Sequence, residues 1–161
     1  MADAEKKVRK EPIVIGAIKN GVVLDHIPTE VLMEVLAVLK LHDVKTPWIL
    51  GKNFGSGKSP TGSKGFIKMI DHFLDDGILD HVALFAPNAT VNVIRDGVVD
   101  KFKIPIPERV RGLIKCANPN CITNKQGEPF ETSFTVSNDD NGGRFLICKY
   151  CQKHTARFHL I

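Results

Sequence analysis

The chain has 161 residues, of which 43% are hydrophobic and 25% charged, and this composition is ordinary for a globular protein. Its formal net charge of +4 does not identify a class of partner by itself. No apolar run approaches the roughly 18 residues that a membrane-spanning helix needs, so we expect no membrane partner. This length accommodates one domain or two small ones.

The first predicted segment is a flexible charged tail at residues 1–11 (MADAEKKVRKE). It lacks the apolar core of roughly 7–15 residues that a secretory signal peptide needs, which favours a cytoplasmic protein. An apolar run at 13–18 then predicts a strand. Asn20-Gly21 is a strong hairpin signal because both residues tolerate positive φ, and it predicts a turn into a second strand at 22–24.

Helix and strand patterns alternate from there to residue 104. A broad apolar face at 29–41 predicts the first helix, and Asp75 to His81 predicts a second, shorter one. Apolar runs predict further strands at 47–53, 66–70, 82–85, 90–94 and 98–104. This order is typical of an α+β fold in which a ferredoxin-like antiparallel sheet carries two helices on one face.

The glycine-rich stretch at 55–62 contains Gly57-Lys58-Ser59, which resembles the end of a phosphate-binding P-loop. The first glycine of that motif is required at position 52, which is a lysine. Pro60 and Gly62 follow at once, where a P-loop enters a helix. We therefore expect a flexible loop and no ATPase site.

A proline-containing connector separates the two predicted domains. Pro105 and Pro107 lie in a five-residue segment, 104–108, and disfavour both helix and central strand. The sequence therefore predicts one domain at 12–104 and a connector with a second domain at 105–161. Alternating stretches in the second domain predict short antiparallel strands at 130–136, 144–148 and 155–161.

Four cysteines in the second domain form two close pairs, with Cys-x4-Cys and Cys-x2-Cys spacing, and they are Cys116, Cys121, Cys148 and Cys151. Each pair can supply two thiolates from one tight turn. Two disulfides are a weaker alternative without secretion, and a rubredoxin-like iron site fits Cys-x4-Cys less well. We therefore predict a small all-β, zinc-ribbon-like domain that is stabilised by one structural zinc ion per chain.

Signals for catalysis are missing from the sequence. Four sulfur ligands leave no open position on a metal, and neither a Gly-x-Ser-x-Gly elbow nor a His-Glu-x-x-His motif occurs. Several histidines are scattered without the pairing of ligands, and we expect surface or packing roles for His42, His72, His81, His154 and His159. We expect no catalytic residues.

Several segments, spread in register over about residues 13–155, match one known pattern. They are Ala17 to Pro28 (AIKNGVVLDHIP), Gly62-Ser63-Lys64 with Ile67-Lys68-Met69, Ala86 to Asn92, Pro107-Glu108, Lys115 to Asn124 and Cys148 to Cys151. Together they resemble the regulatory chain of aspartate carbamoyltransferase.

The resemblance implies a non-catalytic subunit acting in pyrimidine biosynthesis. Regulatory chains of this kind bind nucleotide effectors in the N-terminal domain, typically CTP as inhibitor and ATP as activator. Their zinc domain docks on the catalytic chain, and regulatory dimers bridge catalytic trimers. The implied partners are therefore the catalytic chain, a second regulatory chain, CTP and ATP.

The resemblance also implies seven effector-binding residues, namely Ile18, Asp25, His26, Lys68, Asn92, Ile94 and Lys101. Lysines suit phosphates, Asp25 can accept a ribose hydroxyl, and backbone near Ile18 and Ile94 can bind the base edge. This chain departs from the family pattern at Gly16, at a shortened hairpin near Gly97, and in the longer loop at 55–62. We expect these departures to affect which nucleotide the site prefers, rather than whether it binds one.

A zinc-ribbon protein that binds nucleic acid is the alternative function. The net positive charge and the cysteine site are compatible with it on general grounds. Residues 109–161 carry no dense basic stripe interleaved with aromatic residues, so we expect no nucleic-acid partner.

Overall fold

The computed structural model describes residues 15–158 and 160–161. The predicted tail at 1–11, the start of the first predicted strand at Ile13 and Val14, and His159 lie outside the described residues. Within these ranges the chain forms two antiparallel sheets, one from residues 21–103 and one from residues 109–155. Below, residues 15–103 are called the first unit, and residues 109–158 with 160–161 the second unit.

The first unit contains five strands and two α-helices. The strands are β1 Gly21–Ile27, β2 Trp48–Gly55, β3 Ser63–Ile70, β4 Thr90–Arg95 and β5 Val98–Lys103, and the helices are α1 Leu32–Leu39 and α2 Asp76–Phe85. The strand order is β2-β3-β1-β4-β5, with each helix connecting two strands. This is a ferredoxin-like sheet to which β5 is added by a hairpin, so the predicted α+β class is confirmed.

Both helices pack on one face of the sheet. Alternate residues of the strands, including Val22, Leu24 and Ile67, point into a core with Val35 of α1 and Val82 of α2, and all are at most 2% exposed. Because successive strand residues point to opposite faces, Val23 and Asp25 lie on the face away from the helices. Within the part of the chain that the structure describes, no helix packs on that second face.

The hairpin predicted at Asn20-Gly21 is wrong within the described residues. Residues 15–20 form no strand, and β1 pairs with β3 along one edge and β4 along the other. Both edges of β1 are therefore occupied by strands that come later in the chain. Gly21 has φ of 135°, and a Cβ there would lie 2.0 Å from the carbonyl oxygen of Met69. Glycine is needed for this close approach rather than for a turn.

The two predicted helices differ from the observed ones in length. Of the range 29–41 only α1 is α-helical, because Lys40 adopts φ of 50° and ends the helix. Short 3₁₀ turns, Thr29–Val31 and Leu41–Asp43, flank it.

The strand predicted at 82–85 is wrong, since these residues form the second half of α2. The Asp75 carboxylate caps this helix by accepting the Ile78 N–H at 2.8 Å. Val82, Ala83 and Leu84 are at most 3% exposed, because both units pack on this end of the helix. A helix segment buried on all sides loses its 3.6-residue periodicity and cannot be told from a strand by pattern.

The second unit contains four short strands in chain order. They are β6 Arg109–Arg111, β7 Ser133–Asn138, β8 Arg144–Cys148 and β9 His154–Thr155. The prediction for β8 is confirmed, β7 begins three residues later than predicted, and β6 was not predicted. The strand expected at 155–161 is mostly irregular in the described part, with one bridge between Leu160 and Ile114. Within its described residues the second unit is all-β apart from one 3₁₀ turn, as predicted for the second domain.

Helix α2 joins the two units. Leu84 packs in the core of the second unit, and Phe85 meets Phe158 edge to face, with ring centroids 5.9 Å apart. Arg144 of β8 donates through Nη1 to the carbonyl oxygen of Leu84 at 3.2 Å. His81, 5% exposed, has ring nitrogens 2.7 Å from the oxygen of Gly77 and 3.2 Å from that of Gly112.

Among the described residues no helix is long and apolar enough to cross a membrane.

Candidate functional site

The sheet face away from the helices gathers residues from four strands. Lys68 of β3 and Asn92 of β4 both pair with Val23 of β1, and Asn92 in turn pairs with Lys101 of β5. Paired residues of neighbouring strands point to the same face, as do residues two positions apart. The structure therefore places five of the seven predicted effector residues on one face: Asp25, Lys68, Asn92, Ile94 and Lys101.

Segment 15–20 lies beside this face and includes Ile18. The buried Lys68 ammonium donates to the carbonyl oxygen of Gly16. The Gly97 N–H donates to the carbonyl oxygen of Lys19 at 2.9 Å, which attaches the segment to the β4–β5 turn. Ile18 is thus held near the end of β4 that carries Ile94.

Asp25 is bound to a lysine that the sequence analysis did not select. Both carboxylate oxygens lie 2.8 Å from Nζ of Lys64, and one also accepts the His26 N–H at 2.7 Å. Burial acts to raise the pKa of Asp25, but the Lys64 and His26 hydrogen bonds outweigh it and lower the pKa. Lys64 lies in the matched Gly62-Ser63-Lys64 segment, and this was the sequence signal for it.

His26 lies at an irregularity in β1. It has φ of 60°, and the β1–β3 register shifts between Leu24 and Ile27, as in a β-bulge. Its Nδ1 lies 3.3 Å from an Asp25 oxygen without forming a hydrogen bond. Burial lowers the pKa of His26, and the charges of Lys64, Lys58 and Lys101 lower it further. The charge of Asp25 acts in the opposite direction and does not outweigh them. The ring is therefore mostly neutral at pH 7.

A cleft of about 600 Å³ opens beside His26, between the β2–β3 loop and strands β4 and β5. This volume falls in the usual range of ligand sites. Its basic lining residues are His26, Lys58, Lys64, Lys101 and Lys103. None of the described residues that line it is acidic. Such a cleft suits a ligand with several negative charges, and Lys58 and Lys103 join Lys64 as residues that the sequence analysis did not select.

A smaller cavity of about 260 Å³ shares Lys64 with this cleft. Asp25 and Lys68 line it, together with Phe54 and Phe66, whose ring centroids are 5.1 Å apart. Gly51 leaves room for the Phe66 ring, because a Cβ there would lie 2.1 Å from it. An aromatic cavity with one carboxylate therefore adjoins the cationic cleft.

The four cysteines of the second unit converge on one point. Their Sγ atoms all lie within 4.8 Å of one another, with 3.6 Å between Cys116 and Cys151 and 3.8 Å between Cys121 and Cys148. Four sulfur atoms bonded at about 2.3 Å to one tetrahedral metal ion lie about 3.8 Å from one another, whereas the two sulfur atoms of a disulfide lie about 2.05 Å apart. The cysteines therefore fit one metal ion, and the alternative of two disulfides is wrong.

Local hydrogen bonds hold the ligand turns. Asn124 donates through Nδ2 to the carbonyl oxygens of Cys116 and Asn118, at 2.9 and 2.7 Å. Thr123 donates through Oγ1 to the sulfur of Cys121 at 3.3 Å, and a bond of this kind stabilises a thiolate. These residues fix the loop that makes the Cys-x4-Cys spacing possible.

The thiols differ in acidity. Burial raises the pKa of Cys116 to about 12. Burial also acts to raise the pKa of Cys151, but hydrogen bonds, led by the Lys153 N–H, lower it to about 7. A metal must therefore displace protons from the buried thiols, which makes its binding weaker at low pH.

Two family models match this chain, one over each of its two units. The family model described as aspartate carbamoyltransferase regulatory chain, allosteric domain, matches residues 13–105, and the model for the metal binding domain of that chain matches residues 108–160. The four cysteines lie within the second match, so the expectation of a metal-binding domain is confirmed.

Several relatives are similar in sequence over nearly the whole chain. The aspartate carbamoyltransferase regulatory chain of Phocaeicola vulgatus is 42% identical over 149 residues, which cover 92% of this chain and 92% of that relative. The regulatory chain of Bacteroides fragilis is 40% identical, with coverage of 92% and 94%, and that of Vibrio cholerae is 39% identical, with the same coverage. The prediction of a regulatory rather than a catalytic chain is confirmed. This chain belongs to the family of aspartate carbamoyltransferase regulatory chains.

Proposed function

We propose that this chain senses nucleotides for an aspartate carbamoyltransferase of the pyrimidine pathway. The first unit binds CTP and ATP, and the second unit docks on the catalytic chain. The observation that carries this proposal is the sheet face where Asp25, Lys68, Asn92 and Lys101 adjoin the cationic cleft. The same face supplies groups for a base, a ribose and a chain of phosphates.

The lining residues support one orientation of the nucleotide. The phosphates occupy the cleft, where Lys101 and His26 are available to bind them. The ribose lies by Asp25, whose carboxylate can accept a hydroxyl while it keeps its contact with Lys64. The base lies toward Ile18 and Ile94, where backbone groups can bind its edge.

Helix α2 offers a path from the effector site to the catalytic chain. It packs beneath the sheet whose other face carries the effector residues, and its C-terminal half contacts the second unit through Leu84, His81 and Phe85. Effectors alter catalysis only if they bind two assembly states with different affinity. We propose that the packing of α2 on the second unit differs between those states.

We further propose that the metal is zinc. Four thiolates in a tetrahedron suit Zn²⁺, and a closed site of this kind stabilises a fold without activating water. Thiols kept for a metal are usual in a reducing compartment, which supports a cytoplasmic location. The zinc, when bound, shapes the surface of the second unit that contacts the catalytic chain.

The chain is also proposed to form a regulatory homodimer. Among the described residues, β2 and β5 are the edge strands of the first sheet, since they are the first and last strands in its order. Apolar side chains at these edges are exposed, including Trp48 and Ile49 on β2 and Val98 and Val99 on β5. An exposed edge with apolar side chains is suited to pairing with another chain.

Replacing Lys101 by Gln is expected to weaken binding of CTP and ATP about tenfold, because a charge-assisted contact with phosphate is lost. Lys101 is exposed, so the fold should be unaffected. Lys68→Met tests the buried lysine of the smaller cavity, which also donates to the Gly16 carbonyl. The measurement is calorimetric titration of the full chain with each nucleotide.

The matched control is Lys45→Gln, an exposed lysine outside the cleft. Equal affinity of the Lys101 and Lys45 variants would contradict the assigned phosphate site. No binding of either nucleotide by the unaltered chain would refute the proposed function itself.

Nucleotide binding is expected to be accompanied by proton uptake at His26. Burial and neighbouring lysines lower its pKa in the free chain, and bound phosphates favour the charged ring. Because the pKa is higher in the complex, the contribution of His26 to affinity grows as pH falls through 7 toward 6. Titrations at pH 7 in two buffers of different ionisation enthalpy measure the protons taken up.

His26→Gln removes this titrating group while it keeps a polar side chain. On binding the same nucleotide, the variant should take up fewer protons than the unaltered chain. Because the phosphates titrate equally in both complexes, the difference in proton uptake reports His26 alone. Equal proton uptake by both proteins would show that His26 does not face the phosphates.

A further inference from the structure

The turn between β4 and β5 has two backbone amides that the hairpin itself does not use. Arg95 pairs with Val98, so the turn consists of Asp96 and Gly97, which have φ of 50° and 80°. Positive φ at both central positions is typical of a type I′ turn, in which the N–H groups of these two residues point away from the strand ladder. The two amides therefore need acceptors from another part of the chain or from water.

Segment 15–20 supplies both acceptors. The side-chain oxygen of Asn20, Oδ1, accepts the Asp96 N–H at 2.9 Å, and the carbonyl oxygen of Lys19 accepts the Gly97 N–H at 2.9 Å. The carbonyl oxygen of Asn20 also accepts the N–H of Asp71, just after β3, at 3.0 Å. Asn20 thus connects the end of β3 with the β4–β5 turn at the point where β1 begins.

The other end of the segment is attached on the β2–β3 side of the sheet. The buried Lys68 ammonium of β3 donates to the carbonyl oxygen of Gly16, and Ile15 lines the smaller cavity together with Phe54 of β2. The segment therefore runs across one end of the sheet face, from β2 and β3 to the β4–β5 turn. Ile18 lies between the two attachments, so the position of its backbone depends on both of them.

The short turn is what brings its amides within reach of Asn20. Gly21 pairs with Ile94, so Asn20 lies level with Arg95, directly beside the turn. A longer turn would carry the amides of its central residues further from the end of the ladder, beyond the reach of a side chain as short as asparagine. The shortened hairpin near Gly97 and the asparagine at position 20 therefore form one structural unit.

We propose that Asn20 is a positioning residue of the effector site. It fixes segment 15–20 through the short β4–β5 turn, so that the backbone at Ile18 is placed for the base edge before the nucleotide arrives. The proposal rests on the proposed function, since it takes a nucleotide as the ligand. A segment that is already ordered loses less conformational entropy on binding, and this advantage concerns the base rather than the phosphates in the cleft.

The test is a calorimetric titration of the full chain with CTP, with ATP and with inorganic tripolyphosphate, which has the phosphates but no base. Asn20→Ala should weaken binding of both nucleotides about fivefold, the effect of one net hydrogen bond, and change binding of tripolyphosphate less than about twofold. Asn20→Asp keeps an acceptor oxygen and should bind both nucleotides within about twofold of the unaltered chain. Asn138→Ala, an exposed asparagine of β7, is the matched control and should leave all affinities unchanged.

Hydrogen exchange followed by NMR tests the attachment without any nucleotide. In Asn20→Ala the amide of Asp96 should exchange faster than in the unaltered chain, because it has lost its acceptor. The amides that pair β4 with β5 should keep their protection, since the hairpin ladder does not involve Asn20. Unchanged exchange at Asp96 would show that Asn20 does not hold the turn.

Three titration results would also overturn the proposal. They are equal losses for the nucleotides and for tripolyphosphate in Asn20→Ala, an equal loss in Asn138→Ala, and a loss in Asn20→Asp as large as that in Asn20→Ala. An unaltered chain that binds neither CTP nor ATP contradicts the proposed function instead. The two failures are therefore distinguishable.

Discussion

Cys116→Ser is expected to unfold the second unit while the first unit stays folded. Structural zinc in small domains contributes about 10–16 kcal/mol to folding, more than a unit of this size can replace by other contacts. Three of the four cysteines are themselves part of the buried core of the second unit, so loss of the metal also disrupts its packing. The core of the first unit is a separate cluster and should persist.

Hydrogen exchange and metal analysis of the full chain measure this result. Amides of β7 and β8 should lose protection, those of β1 and β3 should keep it, and the bound metal should fall from one per chain to none. Binding to the catalytic chain should be lost as well. Ala117→Ser, an exposed change beside the ligand, is the control and should retain metal and protection. A variant without metal that still protects β7 and β8 would contradict a structural role for the ion.

Gly21→Ala is expected to destabilise the first unit by about 4 kcal/mol or more. The new Cβ would lie 2.0 Å from the backbone oxygen of Met69, and φ of 135° is itself unfavourable for alanine. Because β1 is the central strand, the clash cannot be relieved without moving β3 away from it. Loss of the β1–β3 pairing would also separate Asp25 from Lys64.

Urea denaturation followed by circular dichroism measures this destabilisation. Gly55→Ala is the matched control, because a Cβ at position 55 meets nothing within 4 Å and should change stability by less than about 1 kcal/mol. A similar midpoint for the two variants would show that β1 and β3 do not approach each other as closely as described.

The same glycine shows how a local signal was misread. Asn20-Gly21 between apolar runs is a strong hairpin pattern, and it depends on the tolerance of glycine for positive φ. That tolerance is used at Gly21, but in a strand held between two distant strands rather than in a turn. The strands predicted at 90–94 and 98–104, on either side of Gly97, do pair as a hairpin, because β4 and β5 are adjacent in both sequence and sheet.

Helix α2 is a second element that the sequence pattern did not predict correctly. Its first half follows an N-cap at Asp75 and was predicted as a helix, since capping depends only on near neighbours. Its second half contacts two cores at once, and no sequence window contains both of them. The apolar run that results was therefore assigned to a strand.

For the candidate site, the resemblance identified residues and the structure identified their surroundings. Lys68 and Asn92 come from segments that match the family pattern, and Lys101 aligns with the family across the shortened hairpin near Gly97. Strand pairing places the three residues in one row. Lys103 had no signal in the sequence, because a lysine on an edge strand is usually only solvated. Lys58 lies in the Gly57-Lys58-Ser59 segment, which does not fit a P-loop and was expected to form only a flexible loop. Their position beside a common cleft became visible only with the loop folded against the sheet.

The sequence by itself determined the four cysteines of the candidate metal site, the α+β class and, through the resemblance, the family. The ligand spacing and the helix cap are local, so a few neighbouring residues suffice to specify them. Only the tertiary structure decided that Asp25 binds Lys64, that α2 connects the two units, and that lysines of loop and sheet share one cleft. These features join residues that are far apart in the chain, and the register of the sheet, rather than any local pattern, brings them together.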